Sequence, residues 1–299
     1  MAVAGNDVVS RGRSFARHAR WRLVGASGGF PMDRYPGPVT TAAPPAAPGA
    51  PVPCTPGPGL FISFEGGDGV GKTTQIRILA DLLAAADVDH ILTREPGGTE
   101  LGVEIRRLLL HGGHVAPRAE ALLYAADRAH HIATRVRPAL ERGAVVLADR
   151  YLDSSVAYQG AARSLGPQEV RDLSLWATEG LLPDLTILLD GDPALAERRT
   201  TGRGAKDRLE QEGDTFRTSL RRQFLTLAQA EPERFVVVGA DRPVDQVADD
   251  VIEAVVTVVR RHGVHLAHGG HQGVLLGLEA FVEAAARRSA AGPDEEARS

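Results

Sequence analysis

A glycine-rich run between a predicted strand and a predicted helix constrains the fold of this chain most strongly. Residues 66–73 read GGDGVGKT, which matches the pattern G-x-x-x-x-G-K-[ST]. The apolar run Leu60–Glu65 before it predicts a buried strand, and apolar residues at helical spacing predict a helix over residues 71–86. In this context the backbone N–H groups of the run and the N-terminus of the helix can surround a phosphate group. We therefore expect the chain to bind a nucleoside triphosphate.

Short apolar strands alternate with helical stretches along the rest of the chain. Further strands are predicted at residues 90–93, 145–149, 185–189 and 235–238, and helices near residues 100–110, 117–142, 167–179, 215–230 and 243–261. Apolar strands that are separated by helices are typical of a parallel sheet covered on both faces. We expect one α/β domain over residues 59–261, with a five-stranded parallel sheet and helices on both faces.

The composition excludes several other classes of protein. The chain has 299 residues, of which 43% are hydrophobic and 24% charged, and a net charge of -4, as is usual for a globular protein. We predict no membrane-spanning helix, because no apolar run approaches about 18 residues. The charge gives no reason to expect a nucleic-acid or membrane partner. The single cysteine, Cys54, cannot form an internal disulfide, which favours a cytoplasmic protein.

The two ends of the chain differ in composition from the predicted domain. Nine prolines lie between residues 36 and 58, so we expect residues 1–58 to be a disordered extension rich in Pro, Ala, Gly and Arg. Its arginines suit a transit peptide, but we favour a nonfunctional extension or a later true start such as Met32. Residues 262–299 are expected to form a His/Gly-rich loop, a short helix and a polar tail. The spaced histidines could bind a metal ion, although a flexible loop is the simpler interpretation.

The glycine-rich run also assigns roles to single side chains. The positive charge of Lys72 can interact with the β- and γ-phosphates, and the Thr73 hydroxyl can bind Mg²⁺. Lys72 is one of only two lysines in the chain, which strengthens this interpretation. The guanine-reading pattern of GTPase switches, Asn-Lys-x-Asp, is excluded because the only asparagine is Asn6. The class that remains is a small phosphotransferase.

Four further segments narrow the class of phosphotransferase. They are residues 94–99 (REPGGT), the helical pair Tyr124 and Arg128, residues 149–160 (DRYLDSSVAYQG), and the charged residues 203–210. Together with the glycine-rich run, this ordered set resembles bacterial thymidylate kinases, which are P-loop nucleoside monophosphate kinases that transfer the γ-phosphoryl group of ATP to dTMP. The segments 94–99 and 149–160 are specific to that family, and the resemblance covers about residues 59–261.

The resemblance implies roles for the residues near the phosphate groups. Lys72, Asp149 and Arg150 would be catalytic, with Arg150 clamping the acceptor phosphate, a bidentate task that suits a guanidinium group. Asp149 would act with Thr73 on Mg²⁺, partly through water, and Asp68 would hold the sugar 3′-hydroxyl. The residues implied to contact ATP are Gly66, Gly67, Asp68, Gly69, Val70, Gly71, Lys72, Thr73, Thr74 and Arg199.

The resemblance also implies a pocket for dTMP. Tyr124 would stack on the thymine base and Arg128 would donate to its O4, and the i, i+4 spacing places both on one helix face. If each residue is considered alone, the simpler interpretation is that Tyr124 is a core aromatic residue and Arg128 a solvated charge on a helix. Tyr158 would crowd C2′ and disfavour ribonucleotides, whereas Ser155 stands where some family members have Asn or Thr. The full set of implied dTMP contacts is Asp68, Arg94, Pro96, Tyr124, Arg128, Arg150, Ser155, Tyr158 and Gln159.

The charged residues 203–210 resemble the mobile lid that closes over ATP in this class of kinase. In the family a catalytic arginine comes from the phosphate loop or from the lid, and here the loop has no basic residue before Gly71. The lid should therefore supply it, with Arg203 as the first choice and Arg208 as the alternative. The family also implies a homodimer. Another P-loop nucleotide or nucleoside kinase, and an inactive nucleotide-binding paralogue, are the alternative functions.

Overall fold

A five-stranded sheet, in which each strand is parallel to its neighbours, forms the centre of the domain. The computed structural model describes residues 59–162, 165–200, 213–269 and 272–291. The strands are β1 (Leu60–Glu65), β2 (His90–Arg94), β3 (Val145–Asp149), β4 (Leu185–Asp190) and β5 (Phe235–Gly239), in the spatial order β2-β3-β1-β4-β5. The predicted five-stranded parallel sheet is confirmed, with every strand within one residue of its expected bounds.

Helices connect the strands. The helical stretches that the apolar spacing predicts are observed, whereas the helices Leu152–Ser155 and Pro193–Thr200 were not predicted. The described helices are α1 (Lys72–Ala85), α2 (Glu100–His111), α3 (Pro117–His131), α4 (Arg137–Glu141), α5 (Leu152–Ser155), α6 (Pro167–Ala177), α7 (Pro193–Thr200), α8 (Asp214–Ala230), α9 (Val244–Gly269) and α10 (Gln272–Ala291). A π-helical segment, Ile132–Val136, joins α3 to α4, and a second one, Val156–Ala162, follows α5. No helix among these described residues is long and apolar enough to cross a membrane.

Both faces of the sheet are covered, because β1 is buried along its whole length. Successive side chains of a strand point to opposite faces. Ile62 and Phe64 belong to a core with apolar residues of α1, α9 and α10. Phe61 belongs to a second core on the other face, which includes Val136 and Tyr151. Since every strand is parallel, the carboxyl ends of β1, β3 and β4 lie along one edge of the sheet, where α/β proteins bind their ligands.

The C-terminal part differs from the expectation. Helix α9 continues through residues 262–269, which were expected to begin a His/Gly-rich loop, and α10 follows after two residues. Leu278 and Phe281 of α10 are buried in the same core as Val255 of α9. Burial of such side chains contributes about 2 kcal/mol each, which outweighs the roughly 1 kcal/mol helix penalty of a glycine. The expected extension 1–58 and the expected lid residues 203–210 lie outside the described residues.

Candidate active site

A cavity of about 570 Å³ lies at the carboxyl edge of the sheet. Its walls come from the loop after β1, from the residues after β3 and from Asp190 and Gly191 at the end of β4. Every residue of the predicted phosphate loop from Gly66 to Thr74 lines it. Arg94, Asp149, Arg150 and Tyr158, which are distant from the loop in the sequence, line the same cavity.

The phosphate loop needs glycine at its two ends. Gly66 has φ 128° and Gly71 has φ 106°, a region of backbone conformation that other residues rarely adopt. A side chain at Gly66 would also collide with the carbonyl oxygen of Leu189 in β4. Gly71 is the N-cap of α1, and no side chain caps the helix there. The N-terminus of α1 therefore points its partial positive charge into the cavity, as anion binding requires.

The Lys72 ammonium group lies over this loop. Its Nζ donates to the carbonyl oxygens of Gly66 at 3.0 Å and Gly67 at 2.7 Å, and the residue is only 7% exposed. Burial, together with the positive charge of Arg150, lowers the pKa of Lys72 to about 8. A bound polyphosphate would offset both the burial and the repulsion, so the site is suited to an anion.

Arg150 is held in an ion pair beside the loop. Its Nη2 donates to Asp68 Oδ1 at 2.6 Å, and its guanidinium lies 5.3 Å from the centre of the Tyr158 ring. Tyr158 donates its hydroxyl to Asp68 Oδ2 at 3.3 Å. Burial raises the pKa of Asp68, but the positive charges of Arg150 and Lys72 outweigh it and lower that pKa to about 2. Asp68 is therefore ionised at neutral pH, between two cationic groups.

Thr73 and Asp149 form the candidate metal site. The Thr73 hydroxyl donates to Asp149 Oδ2 at 3.2 Å, and both residues line the cavity. Asp149 ends β3 and stands in register with Arg94 of β2 and Phe64 of β1. Hydroxyl and carboxylate oxygens are the ligands that Mg²⁺ prefers, and Mg²⁺ usually keeps several water ligands beside one or two from the protein. The donor set at this point therefore fits Mg²⁺.

A second, smaller cavity shares five lining residues with the first: Asp68, Glu95, Arg106, Arg150 and Tyr158. Its other lining residues include Pro96, Tyr124, Arg128, Ser155 and Gln159. The structure therefore brings together the residues implied for dTMP, except that Arg94 lines only the larger cavity.

Arg128 is a buried residue with several fixed partners. It is 1% exposed, and its guanidinium donates to Glu95 Oε2 at 2.7 Å, to Ser174 Oγ at 3.0 Å and to Ser155 Oγ at 2.9 Å. Because Arg128 is buried, the interpretation of this residue as a solvated charge on a helix is wrong. Ser155 orients this guanidinium, and Gln159 donates to Glu120 Oε1 at 2.9 Å. Both residues contribute to the shape of the smaller cavity by holding its wall.

Arg199 is the predicted ATP residue that does not line the larger cavity. Its Nη1 lies 3.5 Å from the carbonyl oxygen of Ala240 and its Nη2 lies 4.0 Å from Asp241 Oδ1, in the connection between β5 and α9. The described contacts of Arg199 therefore go to that connection. Arg203 and Arg208 lie outside the described residues.

Sequence reasoning missed four residues of this site. Glu65, Ser154 and Glu95 form buried or half-buried hydrogen bonds with the residues around Arg150 and Arg128. Arg106 of α2 lines both cavities and donates to the carbonyl oxygen of Pro96 at 3.0 Å. Glu65 had a detectable signal, because a carboxylate at the end of a mostly apolar, buried strand needs a buried partner.

Comparison with known proteins agrees with the geometry of the site. A family model described as Thymidylate kinase matches residues 64–251, which is more than half of the chain. The chain belongs to the thymidylate kinase family. The match to the thymidylate kinase model includes both cavities, from the end of β1 to the middle of α9.

Several curated relatives are similar over most of their own length. A protein of Clavibacter michiganensis subsp. michiganensis named Thymidylate kinase is 62% identical over 192 residues, which is 64% of this chain and 91% of that relative. A Thymidylate kinase of Leifsonia xyli subsp. xyli is 62% identical over 65% of this chain and 93% of the relative. A Thymidylate kinase of Cutibacterium acnes is 47% identical over 68% of this chain and 99% of the relative.

Proposed function

We propose that this chain transfers the γ-phosphoryl group of ATP to dTMP and so produces ADP and dTDP, a step in the supply of dTTP. The observation that carries the proposal is the wall that the two cavities share. Asp68, Arg150 and Tyr158 line both the phosphate-loop cavity and the smaller cavity. A triphosphate on one side and a monophosphate on the other would meet at Arg150. Membership of the thymidylate kinase family supports the same reaction.

The reaction is a direct in-line transfer without a covalent enzyme intermediate. Catalysis of phosphoryl transfer consists mainly of positioning the two anions and stabilising the charge of the transition state. Lys72 and the N-terminus of α1 hold the donor phosphates, and Arg150 bridges the transferring group and the acceptor phosphate. When the phosphates bind, the ion pair between Asp68 and Arg150 breaks. The Asp68 carboxylate then accepts a hydrogen bond from the sugar 3′-hydroxyl.

The smaller cavity accepts thymidine monophosphate. Tyr124 lies in the wall of this cavity, is 8% exposed, and stacks on the base. Arg128 donates to O4 of the base with an N–H group that its buried partners do not use. A cytosine base presents a donor at that position and is therefore disfavoured. Tyr158 lies beside the sugar and leaves no room for a 2′-hydroxyl. Pro96 completes the pocket near the 5-methyl group, and Arg94, at the end of β2, contacts the dTMP phosphate from the side of the larger cavity.

Mg²⁺ is the proposed cofactor, with ATP as co-substrate. Thr73 and Asp149 would hold the ion, Asp149 partly through water. The ion supplies charge neutralisation for the β- and γ-phosphates when it is bound. The Thr73 hydroxyl donates to Asp149 Oδ2 at 3.2 Å, so the two proposed ligands lie next to each other.

The segment 203–210 is the proposed lid. Arg203 is the catalytic arginine and Arg208 the alternative, because the phosphate loop itself has no basic residue before Gly71. Arg199 lies at the end of α7, directly before this segment, and contacts ATP when the lid closes. Closure excludes water from the transferring group and so limits hydrolysis of ATP.

A homodimer completes the proposal. Large apolar side chains are exposed on three neighbouring helices: Leu101 and Leu108 of α2, Leu122 of α3 and Trp176 of α6. Trp176 is 80% exposed, which is unusual for a tryptophan outside an interface. A second copy that packs on this face would bury these side chains. We also place the protein in the cytoplasm, where a chain with a single cysteine stays reduced.

The proposed reaction is tested by measuring ADP release with Mg-ATP and a panel of acceptors. The panel contains dTMP, dUMP, dCMP, dGMP, AMP, UMP and thymidine. A strong preference for dTMP is expected. Preference for another monophosphate would retain the mechanism but contradict the assignments of Tyr124, Arg128 and Tyr158. An absence of turnover with every acceptor, together with ATP binding, would favour an inactive nucleotide-binding protein.

A further inference from the structure

Glu65 is a buried carboxylate that none of the roles above uses. It is the last residue of β1, and its exposure is 0%. Its Oε1 accepts the backbone N–H of Tyr151 at 2.8 Å and that of Ser154 at 3.2 Å. Its Oε2 accepts the Ser154 hydroxyl at 2.6 Å. All of these bonds go to the segment that directly follows Arg150.

Ser154 connects this carboxylate to Arg150. A serine hydroxyl has one hydrogen atom and two lone pairs. Since Ser154 donates its hydrogen to Glu65, it presents a lone pair to Arg150, whose Nη1 donates to Ser154 Oγ at 2.9 Å. The other terminal nitrogen of Arg150 donates to Asp68. The guanidinium is thus fixed at both terminal nitrogens.

The backbone of Arg150 also needs support. Its φ is 72°, in the left-handed region that a non-glycine residue rarely adopts. Such a conformation persists only when the surrounding structure determines it. Glu65 accepts the N–H of Tyr151, which is the amide on the carboxyl side of Arg150, and so holds the strained turn in place.

We propose that Glu65 and Ser154 are positioning residues that hold Arg150 at the wall between the donor and acceptor cavities. The proposal deepens the proposed function and rests on it, because it gives Arg150 its place between the two phosphates. Glu65 fixes the backbone turn, and Ser154 fixes the plane of the guanidinium. Neither residue touches the reacting atoms.

The chemistry of Glu65 is consistent with this role. Burial and the negative charge of Asp153 together raise the pKa of Glu65 to about 7, against the effects of Arg150 and of the hydrogen bonds from Ser154 and Tyr151. Because burial of a carboxylate costs free energy, Glu65 contributes little to the stability of the fold by itself. An apolar residue would pack the end of β1 without this penalty, but it would leave the Tyr151 amide and the Ser154 hydroxyl without an acceptor.

The test compares Ser154→Ala with a matched control, Ser63→Ala. Ser63 lies in β1, two residues before Glu65, and is fully buried. It shares a hydrogen bond of 2.9 Å with Thr186, and neither residue lines the two cavities. Ser154→Ala should lower kcat by about tenfold, with the KM for ATP unchanged. Ser63→Ala should keep kcat within about twofold of the parent protein at a similar loss of thermal stability. Ser154→Thr, which restores a hydroxyl, should recover most of the activity.

Glu65→Gln separates positioning from folding. The amide keeps the size of the side chain and an oxygen that accepts backbone N–H groups, but it donates to Ser154 Oγ and reverses that bond. The expected result is a fall in kcat without a matching fall in thermal stability. An unchanged kcat in both Ser154→Ala and Glu65→Gln would overturn the proposal, as would an equal loss of kcat in Ser63→Ala.

A readout that does not depend on turnover is the reaction of Arg150 with phenylglyoxal, followed by peptide mass spectrometry. In Ser154→Ala this arginine should be labelled severalfold faster than in the parent protein and in Ser63→Ala. Equal labelling rates would contradict the positioning role even if the parent protein did not phosphorylate dTMP. Failure of the parent protein to produce dTDP would contradict only the proposed function.

Discussion

Arg128 Nε donates to Glu95 Oε2 at 2.7 Å, and both side chains are only 2% exposed. The other oxygen of Glu95 lies 2.9 Å from Nδ1 of His131, which is fully buried. The residue proposed to read thymine therefore has its own buried counter-charge, supplied by the segment after β2. This pairing keeps the Arg128 guanidinium charged and oriented where it would otherwise be too costly to bury.

Replacing Glu95 tests this pairing. Glu95→Gln should destabilise the fold by about 3 kcal/mol, because it leaves a buried charge without its partner. It should also raise the KM for dTMP and reduce the preference for dTMP over dCMP by about tenfold. Steady-state kinetics with both nucleotides and urea unfolding measure the two effects.

The control for Glu95→Gln is Arg234→Met, which breaks another buried ion pair. Arg234 and Asp153 are joined at 2.7 Å and do not line the smaller cavity. This variant should lose stability to a similar extent while its ratio of dTMP to dCMP activity stays that of the parent protein. A parallel loss of base discrimination in both variants would show that the Glu95 effect is only structural.

Lys72→Ala should abolish most of the activity without unfolding the protein. The lysine stabilises charge in the transition state, so kcat should fall by about 10² to 10³. The fold should persist, because Lys72 is buried at an electrostatic disadvantage. Arg107→Ala, which removes one positive charge from a side chain that is 66% exposed, is the control for net charge. Turnover close to that of the parent protein in Lys72→Ala would contradict the phosphate-loop assignment.

Asp127 gives a prediction about pH and stability. Its Oδ1 accepts the N–H of Gly97 at 3.2 Å, and its Oδ2 is buried without a hydrogen-bond partner among the described residues. Burial, with the charge of Glu95, raises the pKa of Asp127 to about 6, against the effects of His131 and Arg128. Between pH 4 and 6 the folded state therefore holds a proton that the unfolded state releases, so this carboxyl lowers stability as the pH rises.

Asp127→Asn removes this penalty and keeps an acceptor for Gly97. At pH 7 the variant should be about 3 kcal/mol more stable than the parent protein, and most of the difference should be lost as the pH falls to 4. Urea unfolding at a series of pH values measures it. If the unfolding free energies of the two proteins differed by the same amount at every pH between 4 and 7, the prediction that Asp127 has a raised pKa would be wrong.

The proposed homodimer depends on the exposed apolar face of α2, α3 and α6. The parent protein should sediment at twice the 31.7 kDa of one chain. Trp176→Glu should give a monomer, because a charge would be buried at the centre of the interface. Val244→Glu, at an apolar side chain that is 54% exposed outside this face, should leave the mass unchanged. A parent protein that sediments as a monomer would exclude this assembly.

Local patterns were enough to predict the sheet and the phosphate loop. The strands are short apolar runs, and the loop has a fixed spacing that depends on its own backbone. The residues around the thymine pocket were found by resemblance, but their partners were not. Arg128 pairs with Glu95, 33 positions away, and with Ser174, 46 positions away, and no periodicity encodes such contacts.

For residues 262–269 in the C-terminal part, local sequence patterns gave the wrong prediction. The glycines and histidines of residues 262–269 favour a loop when only neighbours in the sequence are considered. The backbone there is helical because α10 folds back on α9 and buries Phe281 in the core of the domain. Long-range packing therefore overrides local propensity in this part, and only the structure reveals it.

In the proposed reaction a phosphoryl group passes directly between the two cavities at Arg150. A single-turnover reaction with ATP labelled in its γ-phosphoryl group and with excess dTMP tests it most directly. The label should move from ATP to dTDP in an amount equal to the ADP formed, and none should be bound to the protein. Label found on the protein, or only in inorganic phosphate, would contradict direct transfer between the two cavities.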